Sequence, residues 1–402
     1  MFDLETFIAT HVTGRDESLF AADLAAHEPE LRAAIAGRSV LVIGGAGTIG
    51  SSFIRALLPF EPARLYVVDL NENGLTELTR DLRSTSGQFV PDDFKTYPIS
   101  FGDPVFARMM RREGPFDVVA HFAAHKHVRS EKDRYSIEAM VENNVMNTVA
   151  LLDLLLEQPP EHFFCVSTDK AANPANVMGA SKKLMEEAVL AYSARLPAVT
   201  ARFANVAFSN GSLPAGFLER VAKAQPLSAP HDVRRYFVSP AESGELCLLA
   251  CVLGAPGDIF FPELDEPRML TFSTIADALL RDMGYTPVPC SSEDEARDAA
   301  ARRSPEDPAW PVYYFASETS GEKPFEEFFT ADENVDHERF VALGVIAGTT
   351  RNDVASIRST VADLHTLFSS PELTKGAIVE TLTRLVPSFQ HVETGKSLDA
   401  KM

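Results

Sequence analysis

The sequence predicts an α/β protein with a doubly wound parallel sheet, and three observations indicate it. First, short uninterrupted apolar runs at 39–43, 64–68 and 162–166 are typical of strands buried on both faces of a parallel sheet. Second, these runs alternate with amphipathic stretches long enough for helices. Third, a glycine-rich turn at 44–50 joins the first run directly to the first such helix.

Length and charge limit the classes of partner. The 402 residues suffice for one large or two ordinary domains, and 57 acidic against 37 basic residues give a net charge of -20. This charge repels nucleic acid and anionic membrane surfaces. The N-terminus lacks the pattern of a signal peptide, and no apolar run approaches the roughly 18 residues of a membrane helix. We therefore expect a cytoplasmic protein that binds neither nucleic acid nor membrane.

The pattern of cysteines and histidines argues against a metal site. The four cysteines lack C-x-x-C spacing, and Cys247 and Cys251 lie four residues apart in an apolar helix, as expected of two small buried side chains. His125 and His127 share one extended loop with no third ligand in view. We therefore expect no bound metal.

Residues 1–36 are predicted to form a helical arm. Apolar pairs spaced i, i+4, such as Leu31 and Ile35, lie among charged residues, and Pro29 is expected to begin a second helix. We expect this arm to pack on the main body or on a partner subunit.

The glycine-rich turn predicts a binding site for a pyrophosphate. A G-x-x-G-x-x-G pattern between a strand and a helix leaves backbone N–H groups accessible at the helix N-terminus, where the helix dipole favours an anion. Gly44 and Gly47 permit the turn and the close approach, and Gly50 lets the helix touch the strand. We expect Thr48 and Ile49 to take part in the same contact.

A carboxylate after the second strand narrows the ligand to a dinucleotide. Asp69 follows Gly50 by 19 residues, the position of an acid that accepts hydrogen bonds from an adenosine ribose, and Asn71 is expected beside it. An acid there repels a 2′-phosphate, which favours NAD as the cofactor of a Rossmann-type domain. Arg80 and Arg83 lie close enough in sequence to keep NADP open.

Further cofactor contacts are expected after the third and fourth strands. A strand near 95–99 leads to Asp103, and a strand at 117–122 leads to Ala123 and Ala124, whose small side chains let the backbone lie against a cofactor. Lys126 is placed for a phosphate. A long helix over 135–157 carries Asn144 toward the same region.

Proton-handling groups are concentrated after strand 162–166. The chain there reads Ser167-Thr168-Asp169-Lys170, and Lys182 lies on the following helix. Because ligands of open α/β sheets bind at the carboxyl ends of strands, the position suits chemistry. The alternative is a polar loop in which Asp169 caps a helix and Lys170 is solvated.

The later part of the chain is expected to supply a smaller substrate-binding α/β region. A sixth strand at 198–203 precedes Asn205, and a loop carries Ser212. Arg234 and Arg235 beside aromatic residues form a local positive site for an anion, or alternatively a surface ion pair. Helices are predicted near 271–282 and 351–368, and 293–303 is an exposed helix or a mobile loop. The resulting division is an arm (1–36), an NAD-binding domain (37–206, with 233–262 returning to it) and a substrate-binding region with C-terminal helices (207–402).

Seven motifs in order resemble the extended short-chain dehydrogenase/reductases, and more narrowly the nucleotide-sugar 4,6-dehydratases that act on UDP-N-acetylglucosamine. The resemblance covers about residues 37 to 330. The motifs are those at residues 44–50, 123–128, 167–174, 178–182, 202–206, 235–237 and 321–327.

The resemblance implies a function and a set of roles. The reaction would convert UDP-N-acetylglucosamine, or a close nucleotide-sugar, to a 4-keto-6-deoxy product with retention at C5, for glycan biosynthesis. Asp169 would be the acid, Lys170 the base at C5, and Thr168 the hydroxyl that orients the C4 oxygen. Lys182 would hold the nicotinamide ribose. A homo-oligomer is expected. Ser167 is assigned to the cofactor site, and the expected substrate contacts are His127, Asn205, Ser212, Arg234, Arg235, Glu322 and Lys323.

One departure from the superfamily pattern lies four residues before the lysine of the helix. The tyrosine expected there is replaced by Met178, whose thioether cannot exchange a proton. One alternative is a nucleotide-sugar 4-epimerase, although such enzymes normally rely on the missing tyrosine. The other is a non-catalytic NAD-binding protein, which Met178 supports.

The proposed chemistry also makes a demand on charge. Asp169 must be protonated and Lys170 neutral against the sugar, so exclusion of water must outweigh their attraction as an ion pair. The acceptor of the C4 hydroxyl proton is either Asp169 itself or a water relayed through Thr168.

Overall fold

The structure, a computed structural model, describes residues 2–317, 323, 325–348, 350 and 352–391. Its strands, in chain order, are β1 (Ser39–Ile43), β2 (Arg64–Val68), β3 (Asp93–Tyr97), β4 (Val118–His121), β5 (His162–Val166), β6 (Ala198–Ala201), β7 (Asn205–Val206), β8 (Leu227–Pro230), β9 (Arg234–Arg235), β10 (Phe237–Val238), β11 (Asp258–Pro262), β12 (Leu270–Thr271), β13 (Thr286–Cys290), β14 (Ala309–Phe315), β15 (Val335–Asp336) and β16 (Leu343–Ala347).

The α-helices, in chain order, are α1 (Leu4–Phe7), α2 (Ala21–Ala26), α3 (Glu28–Ile35), α4 (Thr48–Leu57), α5 (Glu72–Ser84), α6 (Pro104–Glu113), α7 (Arg134–Val141), α8 (Asn147–Leu155), α9 (Val177–Tyr192), α10 (Leu213–Ala222), α11 (Pro240–Leu253), α12 (Phe272–Asp282), α13 (Glu293–Arg302), α14 (Val354–Phe368) and α15 (Lys375–Leu385). None of these, in the part of the chain described, is both long and apolar enough to cross a membrane.

The centre of the molecule is a nine-stranded sheet with the order β15-β16-β11-β6-β5-β4-β1-β2-β3. Strands β3 through β11 in this order pair in parallel, whereas β16 runs antiparallel to β11 and β15 antiparallel to β16. Strands β1 to β3 follow one another toward one edge of the sheet and strands β4 to β6 toward the other, so the strand order reverses between β1 and β4. In such sheets the crevice at the carboxyl ends of these two strands receives ligands. The predicted doubly wound fold class is confirmed.

Helices cover both faces of this sheet because side chains of each strand alternate between them. Val40 and Val42 of β1 join the core under α3, α4, α5 and α11, whereas Leu41 and Ile43 join the core under α6, α8, α9 and α14. The central strands, such as β1, are therefore apolar on both faces, which explains why their apolar runs were visible in the sequence.

Two predicted elements differ in detail from the structure, and a third prediction had left two alternatives open. Strand β3 begins two residues earlier than the predicted 95–99 and its side chains are only partly buried. The predicted helix over 135–157 consists of α7 and α8 joined by a π-helical turn at Glu142–Met146. Of the two alternatives for 293–303, the helix is observed, as α13.

The N-terminal arm packs on the main body. Arg15 donates two hydrogen bonds to the Glu242 carboxylate on α11, of 2.8 and 2.7 Å, and Leu31 and Ile35 of α3 are fully buried. Phe7 joins a separate core around α10, α12 and the three-stranded sheet β13-β14-β8. The arm therefore contacts both the large sheet and the smaller sheet.

The last two helices cover the outer side of α7 and α9. Leu364 of α14 and Ile378 and Leu382 of α15 are fully buried against Ile137 and Val177. This packing places α15 beside the start of α9, the helix that carries Met178 and Lys182.

Candidate active site

A first cleft opens at the carboxyl ends of β1 and β4. It has a volume of about 280 Å³ and receives backbone or side-chain atoms from most of the predicted cofactor residues. Those residues are Gly44, Gly47, Thr48, Ile49, Gly50, Asp69, Ala123, Ala124 and Lys126.

Two glycines create the space for this cleft. Gly44 has φ of 82°, and a Cβ there would lie 2.4 Å from the backbone nitrogen of Ala123. A Cβ at Gly50 would lie 2.3 Å from the carbonyl oxygen of Gly44. The ten-residue helix α4 begins directly after Gly47, which supplies no capping side chain, so its first N–H groups are left for a ligand. The arrangement fits the pyrophosphate of a dinucleotide.

The carboxylate of Asp69 faces the same cleft. It accepts hydrogen bonds from the backbone nitrogens of Ala46 (3.0 Å) and Asn71 (2.9 Å), which fix it at the end of β2. Arg80 and Arg83, which left NADP possible as the cofactor, contact other side chains of the protein. Arg80 pairs with Glu77 at 2.5 Å, and Arg83 lies over an aromatic ring on β3.

Three other predicted cofactor residues, Asn71, Asp103 and Asn144, line neither this cleft nor the second cleft described below. The Asn71 side chain accepts a hydrogen bond from Gly74 N at 2.9 Å and caps α5, and Asp103 occupies the N-cap position of α6. Asn144 is buried; its Oδ1 accepts from the backbone nitrogen of His125 (2.8 Å) and its Nδ2 donates to the His125 carbonyl (2.9 Å). Asn144 thus holds the loop that carries Lys126.

A second cleft, of about 330 Å³, continues from the first. The two clefts share Ile49, Phe122, Ala124 and Lys126. The second cleft is lined by all five predicted catalytic residues and, besides the residues shared with the first cleft, by four further predicted site residues. They are Thr168, Asp169, Lys170, Met178 and Lys182, together with His127, Ser167, Asn205 and Ser212.

Strand β5 and a short 3-10 turn place the proton-handling groups. Thr168 precedes the turn Asp169–Ala171, and its Oγ1 donates a hydrogen bond of 2.8 Å to Asp169 Oδ1. Lys170 Nζ donates to the same oxygen at 2.9 Å. The hydroxyl, carboxylate and amine that are consecutive in the sequence therefore form one hydrogen-bonded group.

The charge on Lys170 differs from the neutral state that the chemistry demands. Burial is the largest single influence and lowers the pKa of Lys170, but the combined attraction of Asp169 and of Glu326, 3.8 Å from Nζ, exceeds it, so the pKa is raised. In the ligand-free protein two carboxylates, not one, face this ammonium group, so ion pairing outweighs burial. The expectation that exclusion of water dominates concerns the sugar-filled site and stays a prediction.

Lys182 reaches the second cleft from α9. Its Nζ donates a hydrogen bond of 2.8 Å to the carbonyl oxygen of Val166, and burial lowers its pKa. Met178 lies one turn earlier, with only 3% of the residue exposed. The thioether thus fills an apolar part of the wall where the superfamily has a phenol.

A buried charge network supports the floor of the site. Ser167 Oγ donates to Glu186 at 2.6 Å, and Arg202 bridges Glu186 and Glu333 with bonds of 2.8–3.0 Å. Burial acts to raise the pKa of Glu186, but the attraction of Arg202 and Lys183 outweighs it and lowers the pKa to about 2. Sequence reasoning missed this network, although Glu186 lies one helical turn after Lys182.

Three further predicted substrate residues, Arg234, Arg235 and Lys323, lie outside the lining of the second cleft. Arg234 is exposed and 3.4 Å from Glu266, as in the surface ion pair that was the alternative for this arginine. Arg235 is buried and donates to the carbonyl oxygen of Lys323 at 3.0 Å. Lys323 Nζ donates to a backbone carbonyl at 2.5 Å. Glu322 lies outside the described residues.

Comparison with known proteins places the chain in a family. The family model described as "Polysaccharide biosynthesis protein" matches residues 40–346. The chain is 31% identical over 291 residues to "Probable polysaccharide biosynthesis protein EpsC" of Bacillus subtilis, a match covering 70% of this chain and 48% of EpsC. The chain thus spans about half the length of that relative.

Two further relatives carry names of enzymes. The inverting UDP-N-acetylglucosamine 4,6-dehydratase of Campylobacter jejuni is 23% identical, covering 62% of this chain and 73% of that protein. The UDP-glucose 4-epimerase of Rickettsia prowazekii is 26% identical, covering 61% and 71%. The homologues are therefore nucleotide-sugar dehydratases and epimerases, and proteins of polysaccharide biosynthesis.

Solved structures share the fold. The Pen protein of Bacillus thuringiensis matches with a TM-score of 0.64 at 18% identity, covering 83% of this chain and 99% of that one. DesIV, the dTDP-glucose 4,6-dehydratase of Streptomyces venezuelae with NAD and TYD bound, matches with a TM-score of 0.56 at 19% identity, covering 81% and 96%. Since the family match extends over most of the sequence, the chain belongs to the polysaccharide biosynthesis protein family, with the fold of the extended short-chain dehydrogenase/reductases.

Proposed function

We propose that this protein is an NAD-dependent nucleotide-sugar 4,6-dehydratase that converts UDP-N-acetylglucosamine, or a close nucleotide-hexose, to its 4-keto-6-deoxy product. The observation that carries the proposal is the hydrogen-bonded group of Thr168, Asp169 and Lys170 in a cleft continuous with the first cleft. An epimerase has no use for an adjacent acid and amine at this position.

The first cleft fits NAD as the cofactor. Gly44, Gly47 and Gly50 leave room for the pyrophosphate at the start of α4, and Asp69 presents a carboxylate for ribose hydroxyls. Bound NAD would supply reversible acceptance of a hydride, taken from C4 of the sugar and returned at C6. Lys182, which lines the second cleft and is held by its hydrogen bond to Val166, would hold the nicotinamide ribose and add positive charge near the reacting oxygen.

Thr168 and Asp169 provide a path for the proton of the C4 hydroxyl. The Thr168 hydroxyl already donates to Asp169 Oδ1, so a C4 hydroxyl placed against Thr168 would pass its proton to that carboxylate. Asp169 would then carry the proton that the departing C6 hydroxyl needs. One carboxyl group thereby serves as acceptor and donor in a single turnover, which removes the requirement that Asp169 be protonated at the start.

Lys170 would take the proton from C5. The ketone at C4 acidifies this proton, and a neutral amine 2.9 Å from Asp169 is held beside the group that protonates the leaving hydroxyl. We propose that the same amine returns the proton to the same face, which gives retention at C5.

The remaining assignments are part of the same proposal. His127, Asn205 and Ser212 would contact the nucleotide-sugar in the second cleft, and Arg235 and Lys323 would act from beside it. We propose that residues 37–206 with 233–262 bind the cofactor, that residues 207–402 mainly bind substrate, and that the protein forms a homo-oligomer.

A 4-epimerase is the second candidate, because relatives include UDP-glucose 4-epimerases. Against it, Met178 lacks the phenol that epimerases use to exchange the C4 proton. A mass-spectrometric screen of UDP-, GDP-, CDP- and dTDP-hexoses separates the two: a dehydratase removes one water from its substrate, whereas an epimerase leaves the mass unchanged.

A further inference from the structure

Glu326 is a buried carboxylate that the sequence analysis assigned no role. Only 5% of the residue is exposed, and its Oε1 lies 3.8 Å from Lys170 Nζ and 3.8 Å from an Nη of Arg235. Lys170 therefore faces two carboxylates, those of Asp169 and Glu326. The 3.8 Å separation is longer than a hydrogen bond, so Glu326 faces the ammonium group without being tied to it.

The segment that carries Glu326 is fixed on both sides. Before it, the carbonyl oxygen of Lys323 accepts a hydrogen bond from Arg235. After it, Arg202 donates to the carbonyl oxygen of Phe328 at 2.8 Å and pairs with Glu333. Hydrogen bonds to the backbone on both sides of Glu326 thus hold its carboxylate near Lys170, and its position does not depend on the Lys170 contact alone.

We propose that Glu326 accepts the proton of Lys170 when a sugar fills the second cleft, and so converts Lys170 from an ammonium ion to the neutral amine that abstracts the C5 proton. This inference rests on the proposed dehydratase function. Glu326 acts through Lys170 and is a positioning residue.

The proposed step conserves protons and net charge. The N–H bond of the Lys170 ammonium breaks and an O–H bond forms on Glu326, giving a neutral pair from an ion pair. The amine then takes the proton from C5 and later returns it to C5, while Glu326 stays protonated throughout. Since the transfer is internal, the fraction of neutral Lys170 does not depend on pH over the range in which the pair holds one proton.

Burial of the pair, not the charges around it, favours such a transfer. Asp169 and Arg235 each act on both members, so their effects on the transfer oppose one another, and Lys323 stabilises the charged form of Glu326. Burial raises the pKa of Glu326, against the attraction of Lys170. A neutral sugar ring that displaces water from the cleft penalises the ion pair relative to the neutral pair, because separated charges lose solvation in a low-dielectric site.

The test compares Glu326→Gln with a matched control, Glu327→Gln, which changes the adjacent exposed glutamate. The first readout is the turnover of UDP-N-acetylglucosamine between about pH 6 and pH 9. Wild type and Glu327→Gln are expected to share a flat profile. Glu326→Gln must release the Lys170 proton to solvent, so its turnover is expected to be about 100-fold lower at pH 7 and to rise about tenfold per pH unit.

The second readout needs no substrate. In protein labelled with 13C-lysine, the Lys170 signal is identified by its loss in Lys170→Met, and its titration midpoint is expected to fall by about one unit in Glu326→Gln, because one of two facing carboxylates is gone. An unchanged midpoint overturns the inference.

The two proposals fail in different ways. If wild type dehydrates the sugar and Glu326→Gln shows a flat pH profile like wild type, the role of Glu326 is wrong and the dehydratase function stands. If wild type removes water from no nucleotide-hexose, the dehydratase function fails, and the proton transfer proposed for it fails too, whatever the Lys170 midpoint does.

Discussion

Lys182 donates a hydrogen bond of 2.8 Å from Nζ to the carbonyl oxygen of Val166, the last residue of β5. This bond ties α9 to the strand whose next residues are Ser167, Thr168 and Asp169. A lysine on the helix and an acid after the strand are therefore held in fixed relation in the lining of one cleft. The geometry of the candidate site thus depends on packing between β5 and α9 as well as on the loop itself.

Replacement of Gly50 by alanine tests the first cleft. A Cβ at this position would lie 2.3 Å from the carbonyl oxygen of Gly44, so the turn must open and the start of α4 must move. We expect Gly50→Ala to weaken NAD binding at least about tenfold, measured by isothermal titration calorimetry. Gly216→Ala is the control, because nothing lies within 4 Å of a Cβ there. Equal NAD affinity in Gly50→Ala and wild type would contradict the assignment of this turn.

Replacement of Arg202 by methionine tests the buried charge network. The side chain of Arg202 is fully buried between Glu186 and Glu333, and its loss leaves Glu186 charged and without its main partner. We expect the free energy of unfolding to fall by about 3–5 kcal/mol in urea denaturation. The exposed pair of Arg281 and Asp277 supplies the control, since Arg281→Met should cost less than about 1 kcal/mol. Similar losses in both variants would show that the network contributes little.

His121 makes stability depend on pH in a predictable direction. Burial, followed by the nearby charge of Lys182, lowers the pKa of His121 to about 3, below the ordinary value of 6.5 in the unfolded chain. The unfolded state therefore binds a proton that the folded state does not, and stability falls as pH drops from about 6.5 toward 3. Between pH 7 and pH 5 this residue alone should remove about 2 kcal/mol of unfolding free energy.

The matched measurement for His121 is urea denaturation of wild type and His121→Gln at both pH values. The difference between the two proteins isolates His121 from the other histidines that titrate in this range. An equal loss of stability in both proteins on acidification would mean that His121 takes up a proton within the fold.

Replacement of Met178 by leucine tests whether the thioether has a chemical role. The side chain is buried in the cleft wall, and leucine conserves its volume and apolar character. If Thr168 and Asp169 move the C4 proton, as proposed, turnover should stay within about threefold of wild type. A loss of a hundredfold or more would show that the sulfur itself takes part.

The large sheet was predictable because its central strands are apolar on both faces and because a glycine follows β1 and an acid follows β2. Strand β3 was misplaced by two residues because it lies at the edge, where Lys95 is exposed and the apolar pattern is weak. Strands β15 and β16 were missed because β16 pairs antiparallel to β11, which lies far away in the sequence, and β15 pairs in turn with β16, so that no local pattern indicates either pairing.

The candidate site was predictable where it is local in sequence. Thr168, Asp169 and Lys170 lie at the end of one strand, and Lys182 lies on the helix that directly follows. The partner of Lys170 was not predictable in the same way. Glu326 comes from 156 residues later in the chain (326 − 170). Its approach depends on the burial of Arg202, which was noted only as part of a motif, and of Arg235, which was predicted to contact the substrate. A motif marks a residue, but only packing shows which charge it faces.

The central claim is that Asp169 and Lys170 together remove water from a nucleotide-sugar. The most direct measurement is mass spectrometry of UDP-N-acetylglucosamine incubated with wild type, Asp169→Asn or Lys170→Ala, each loaded with NAD. The account predicts loss of one water with wild type and a decrease of at least about 1,000-fold with either variant, while both variants still bind NAD. Undiminished dehydration in either variant, or a product of unchanged mass from wild type, would contradict it.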